Sequence, residues 1–191
     1  SQGVSQLEDK TTNCGHSERE YCVQYRETHY DFVCRLMEEE GIFYYFEHTR
    51  QGEKMILHDD SSAMKAAEST SLRQMDAASG EPAYNQIINM SIAQQVVSKQ
   101  FATADYNFET AATKLYNKIS GEGTGGQVYR YPGIYQTSSD GDTLASNRVQ
   151  ELEWFKKTIK GTSTVPKFAS MATFSLTNHP RADANDNYVL Y

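Results

Sequence analysis

The stretch from Thr28 to Leu57 constrains this chain more than any other, because three local signals in it agree on one arrangement. Thr28 is a helix-capping residue with Asp31 three places on, and Phe32, Val33, Leu36 and Met37 then fall on one helical face. Gly41 supplies the stop, since glycine alone enters the left-handed conformation without steric cost. Beyond it, Ile42 to His48 carries apolar or aromatic residues on both alternating faces, and a turn at Gly52 leads into Met55-Ile56-Leu57. A helix followed by a hairpin is therefore predicted.

Other segments add strands. Glu20 to Tyr25 reads as strand-like, as do Ile87 to Ile92, Gln95 to Phe101, Ala104 to Phe108, Val128 to Tyr131, Phe174 to Asn178 and Tyr188 to Tyr191. Pro132-Gly133 marks a turn, and a second helix is predicted near 142–160, capped by Asp142, with Leu144, Ala145, Val149, Leu152, Phe155 and Ile159 on one stripe up to Gly161. Residues 59–83, rich in Asp, Ser, Ala and Glu, show no strand pattern and predict a surface connection. The expected division is a helix-plus-hairpin module over 1–60 and a β-barrel-like module over 61–191.

Composition excludes several classes. A net charge of −7 with no Lys/Arg cluster would repel a phosphate backbone, so nucleic acid is not an expected partner. No apolar run approaches the roughly 20 residues of a membrane helix, and Ser1-Gln2-Gly3-Val4 does not open like a signal peptide. The missing initiator Met suggests a piece of a longer protein. At 191 residues a chain can bury roughly 70% of its unfolded surface, so a core needs no covalent staples. Three cysteines, Cys14, Cys22 and Cys34, form no even disulfide framework and suit a reducing compartment.

Motifs with possible chemistry lack their context. Cys14, His16, Cys22, His29 and Cys34 include zinc-donor types, but no pair has the C-x-x-C spacing that presents two ligands from one turn. Cys22 and Cys34 are expected to be small buried apolar side chains instead. Gly15-His16-Ser17-Glu18-Arg19 opens like a nucleophile elbow, yet Arg19 stands where the second glycine belongs. A small hydrolase or metal-dependent enzyme using Ser17 or the Cys14/His16/Cys22 cluster is the alternative of another class. Gly121 to Gly126 spells G-x-G-x-x-G without a helix after it, and predicts a flexible loop. Asp183, Asn185 and Asn187 match the start of a calcium loop, but Tyr188 replaces its glycine. Glu38, Glu39 and Glu40 crowd three carboxylates where the helix dipole disfavours them, predicting a solvated end or ion pairs to a neighbouring subunit. No catalytic, cofactor-binding or metal-binding residue is assigned.

The run from Arg19 to Glu27, continuing from Asp31 to His48, resembles the hub signature of the VgrG (valine-glycine repeat protein G) family of type VI secretion spike proteins. Asp105-Tyr106-Asn107-Phe108 is similar to that family's D-Y-x-F strand, and Tyr131-Pro132-Gly133-Ile134-Tyr135 to its Y-P-G-x-Y turn. Phe174 to Pro180 with Asn187-Tyr188 resembles its closing strands, although Ser170-Met171 stands where the family has Pro-Gly. The resemblance covers roughly residues 19 to 191; the polar first 18 match nothing, and the hub's earlier strands are expected to be missing.

What the resemblance implies is an α+β fold of mostly antiparallel, β-barrel-like phage-tail-hub domains with two or three inserted helices, related to phage tail hub and late control protein D. It implies a non-catalytic homotrimer, pseudo-sixfold symmetric, matched to the hexameric tube protein (Hcp) and to a baseplate. A spike-tip (PAAR) protein and secreted effectors would attach through other parts of the parent protein. Assembly in the bacterial cytoplasm and export by the machine itself, without a signal peptide, complete the expectation. The hub of a phage or phage-like contractile tail is the alternative within the same class.

Overall fold

A computed structural model describes residues 6–12, 18–60, 64, 66–74 and 84–191, with the side chains of 68–74 left aside. The chain divides into two compact units that interleave along the sequence: Ser1–Cys14, Ile42–Ser91 and Ile159–Tyr191 make the first, and Gly15–Gly41 with Ile92–Thr158 the second. The chain passes between units at Gly41 and not at residue 60, so the predicted helix and hairpin, although adjacent in sequence, belong to different units. The fold class is α+β, with eleven strands and two α-helices among the described residues.

In the first unit, strands β1 (Gln6–Asp9), β2 (Phe43–Thr49) and β3 (Gly52–His58) form one sheet in the order β1-β3-β2. The hairpin runs in register from Phe43 opposite His58 to Thr49 opposite Gly52. Ile56 is completely buried at its centre, opposite both Tyr45 of β2 and Glu8 of β1. Phe43 stacks on the buried His58 ring at 5.8 Å, and the His58 Nδ1 accepts the backbone N–H groups of Asp59 and Asp60.

A second sheet has the order β11-β10-β4-β5-β9, from β4 (Ala66–Gln74), β5 (Gln86–Gln94), β9 (Lys157–Ser163), β10 (Thr173–Thr177) and β11 (Asn187–Val189). Its core gathers Ile87, Val165 and Leu176, with Phe168, Phe174 and Tyr188 stepping across it at ring separations of 5.1 and 5.6 Å.

The second unit holds α1 (His29–Glu40), α2 (Ser138–Trp154) and the sheet β7-β6-β8, built from β6 (Ser98–Asp105), β7 (Leu115–Ser120) and β8 (Gly125–Arg130). α1 follows its sequence signals: the Thr28 hydroxyl accepts the Asp31 N–H at 3.1 Å, and Gly41 closes the helix at φ 74°. Ala145 and Val149 of α2 pack on Phe101, with Ile119, Val128 and Leu152 around them.

Several sequence expectations give way. Glu20 to Tyr25 is not a strand, and Cys22 is exposed, not buried. Gln95–Phe101 and Ala104–Phe108 merge into the single strand β6. α2 starts at Ser138 under a Thr137 cap, and its expected end, including Ile159, is strand β9. β4 lies inside the predicted connection, because Ala-Ala-Glu-Ser-Thr offers no apolar alternation and the strand is defined by its backbone pairing to β10 and β5. Antiparallel pairing joins β2–β3, β6–β7, β10–β11 and β5–β9, where Thr164 N–H donates to the Gln86 carbonyl and Gln95 N–H to that of Lys156, whereas β1–β3, β4–β10, β4–β5 and β6–β8 are parallel. In the second unit the reason is that β8, after the β6–β7 antiparallel pair, returns to the far edge of β6. Among the described residues each sheet is an open succession of strands, not a closed barrel.

Candidate functional site

Parallel neighbours leave a sheet at the same end, so β6 and β8 deliver the two segments that follow them to one place. Those segments are Asp105-Tyr106-Asn107-Phe108 and Tyr131-Pro132-Gly133-Ile134-Tyr135. The Asp105 carboxylate accepts the backbone N–H of Ile134 and, at 3.3 Å, that of Tyr135. Gly133 N–H donates to the Ala104 carbonyl at 3.0 Å, and Asn107 Nδ2 to the Gln136 carbonyl at 3.3 Å. The Tyr131–Pro132 peptide is cis.

Tyr135 is the inward anchor of this clasp. Its hydroxyl donates to the Thr103 carbonyl at 3.2 Å, and burial pushes its phenol above the ordinary value. Two glycines make room for its ring. A Cβ on Gly133 would stand 2.3 Å from Tyr135 Cε1, and one on Gly141 would stand 2.5 Å from Cε2, so neither position accepts even alanine without displacement. Gly141 lies in the first turn of α2, which Asn117 also holds by donating to the Ser138 carbonyl at 2.9 Å and to Asp142 Oδ1 at 2.8 Å. Asp142, expected to cap the helix, thus accepts from β7 instead.

With Tyr135 turned inward, its companions turn outward. Tyr106, Phe108, Tyr131 and Ile134 are exposed, Phe108 at 74% and Ile134 at 73%. Ile134 holds a left-handed φ of 63°, a costly conformation for a β-branched residue, kept by the Asp105 bond to its N–H. Four large apolar side chains held outward by a hydrogen-bonded clasp are the arrangement of a contact surface.

The three carboxylates at the end of α1 form the second feature. Glu38 pairs with Arg148 at 2.5 Å, Glu39 with Arg19 at 2.6 Å and Arg35 at 3.4 Å, and Glu40 with Arg19. Partners within the chain thus answer the charge that the helix dipole disfavours. Burial pulls the Arg148 guanidinium down, but Glu38 and Glu151 outweigh it and hold the group above its ordinary value. Arg35 also bonds Glu27 at 2.7 Å, which keeps the Glu27 carboxyl below the usual range.

Among the described residues the chemical candidates of the sequence are not brought together. Cys14, His16 and Ser17 lie outside the described residues; Cys22 is exposed, Cys34 sits half-buried on α1, and the His29 ring faces the Gln24 side chain at 2.9 Å. Among the described residues no three His, Cys, Asp or Glu side chains are grouped as metal ligands. The oxygens of Asp183, Asn185 and Asn187 serve Arg181, His179 N–H and Ser175 respectively, so they do not converge on a cation.

The glycine loop packs closely at Gly121 and Gly123. A Cβ on Gly123 would stand 2.4 Å from the Ser98 carbonyl, and one on Gly121 would meet Val149 and Glu153. Lys156 beside it pairs with Glu122 at 3.0 Å, along an open depression of about 300 Å³ that Thr124 and Gln95 also line. A carboxylate at this position opposes a phosphate. Sequence reasoning had both halves of the clasp but missed their meeting, since nothing local reports that β6 and β8 are parallel neighbours.

Comparisons with known proteins agree with one another. The sequence pattern of the phage tail baseplate hub (GPD) family matches residues 2–191, and so includes the polar start in which no likeness was expected. The type VI secretion system spike protein VgrG1c of Pseudomonas aeruginosa is 31% identical over 98% of this chain and 26% of its own length. VgrG1a of the same organism is 30% identical over 98% of this chain and 30% of its own length, and the actin cross-linking toxin VgrG1 of Vibrio cholerae is 27% identical over 91% and 16%. The chain thus spans less than a third of each of these relatives. A 43 kDa tail protein of prophage MuSo2 from Shewanella oneidensis shares the fold, with a TM-score of 0.63 at 11% identity over 98% of this chain and 55% of that one. With a family match across nearly its whole length, the chain belongs to the phage tail baseplate hub family.

Proposed function

We propose that this chain is part of the hub of a type VI secretion spike and works mechanically, passing a contractile thrust through protein contacts instead of turning over a substrate. The observation that carries the reading is the likeness to spike proteins at about 30% identity over 98% of the chain. The clasp of the second unit supports it, because it stiffens a surface and presents aromatic side chains without converging polar groups. On this reading the hub is a homotrimer matched to a hexameric tube protein (Hcp) and seated on the baseplate. The spike-tip (PAAR) protein and effectors attach elsewhere on the parent protein, which is assembled in the cytoplasm and exported by the machine without a signal peptide.

A second reading, the hub of a phage or phage-like tail, is favoured by the shared fold with the prophage tail protein. Deleting the gene region for these residues in the native host and measuring release of the tube protein separates the two. The spike reading expects release to stop and to return on complementation; unchanged release contradicts it.

A further inference from the structure

Residues 20–25 present a conflict between sequence and surroundings. Glu-Tyr-Cys-Val-Gln-Tyr alternates β-forming residues, yet the segment lies in no sheet, and no backbone-to-backbone hydrogen bond joins it to another described residue. Tyr21 is 84% exposed, Val23 43% and Tyr25 70%, which places three large apolar side chains of one alternating face in solvent. The segment is nonetheless held at both ends. Arg19 grips Glu39 and Glu40 of α1, while Gln24 bonds the Glu27 carbonyl at 2.9 Å and the His29 ring. A tethered, exposed segment of strand-forming residues that lies in no sheet can donate a strand to an open edge.

The same unit carries an acceptor. β8 pairs with β6 along one side only and stands at the sheet's edge, with Tyr129 and Arg130 exposed and open space beside Gly126. We propose that residues 20–25 of one copy add as an antiparallel strand to the outer edge of β8 in a second copy of this chain, and that this contact builds the hub. The pairing deepens the spike-hub reading above and rests on it.

Side-chain chemistry selects the register. With Tyr21 opposite Tyr129, an aromatic cross-strand pair forms, Glu20 falls opposite Arg130, and Gln24 and Tyr25 fall opposite Gly126 and Gly125. Gln24 falls over the open space at Gly126, and an opposite-charge pair closes the other end. Among the described residues, Glu20 leaves a 3.4 Å contact with Gln136 to make this pair. Donor and acceptor are different surfaces of one chain, so the contact is head-to-tail, which gives a ring where the rotation between copies closes and a filament where it does not; the trimer of the spike-hub reading is such a ring.

Light scattering and sedimentation of the purified 191-residue chain test the pairing. The chain should form a trimer, and Glu20→Arg or Arg130→Glu should each weaken association about tenfold or more, with the double reversal restoring it. Val23→Pro should abolish assembly while circular dichroism keeps its folded signature; should that variant not fold, the charge exchange decides alone. A trimer indifferent to all three changes, or single losses that the double reversal does not repair, overturns the pairing and leaves the spike-hub reading intact. A wild-type chain that stays monomeric at every concentration also overturns it. Failure of the spike-hub reading shows separately, as unchanged tube-protein release in the deletion strain.

Discussion

Tyr21–Tyr25 and Ile42–Phe46 are alike in sequence, each short and rich in tyrosine or phenylalanine, yet only the second enters a strand. Ile42–Phe46 is followed after Gly52 by an apolar run that folds back on it, and the resulting pair holds Ile56 at its centre with no exposed surface. Tyr21–Tyr25 is followed by a helix cap at Thr28, so nothing local can return to it. A strand sequence states a preference for a pleated, half-buried surface, and whether such a surface exists depends on what the chain puts beside it.

This contrast can be broken in steps. The largest effect is expected at the centre of the paired region, where Ile56→Ala should cost about 3–4 kcal/mol in urea unfolding, since a fully buried branched side chain leaves a cavity. A cost below about 1 kcal/mol would mean that the hairpin does not depend on that core. Phe43→Ala should be milder, about 1–2 kcal/mol, because its ring is half-buried and stacks on one face of His58. Equal costs at the two sites would remove the distinction between centre and margin.

On the unpaired side the predicted effects are local. Arg19→Ala should lower the backbone order of residues 20–25, read as a reduced heteronuclear NOE there, while the amides of α1 stay protected from exchange, since Arg19 is the tether to Glu39 and Glu40. Acid should act in the same direction. The Arg35 guanidinium beside Glu27 holds that carboxyl below its usual 4.5, so the stabilisation is present above pH 4.5 and fades as pH falls through the lowered folded value. Arg35→Leu should flatten that part of the pH profile, and an unchanged profile would show that the pair contributes nothing. Smallest of all, Val23→Ala should shift unfolding by no more than about 0.5 kcal/mol at dilutions that keep copies apart.

Local signals were legible wherever the residues that decide a structure sit within a few positions of one another. Thr28, Asp31 and Gly41 bound α1 as their types predict, and Phe43 opposite His58 follows from one turn. Pairing over long separations was not legible: β4 carries no apolar alternation, β8 reaches the far edge of β6, and β9 occupies what the stripe through Ile159 extended as helix. The clasp was half legible, with both segments noted and their joining through Asp105 not foreseen. The acid run at 38–40 misled for a related reason, since its countercharges Arg19 and Arg148 stand 20 and 110 residues away from their partners.

The central claim is that this chain is an assembly element, and its solution mass tests that claim most directly. Light scattering across a range of concentrations should approach three times the 21.6 kDa of one chain. A mass that stays at 21.6 kDa throughout would contradict it.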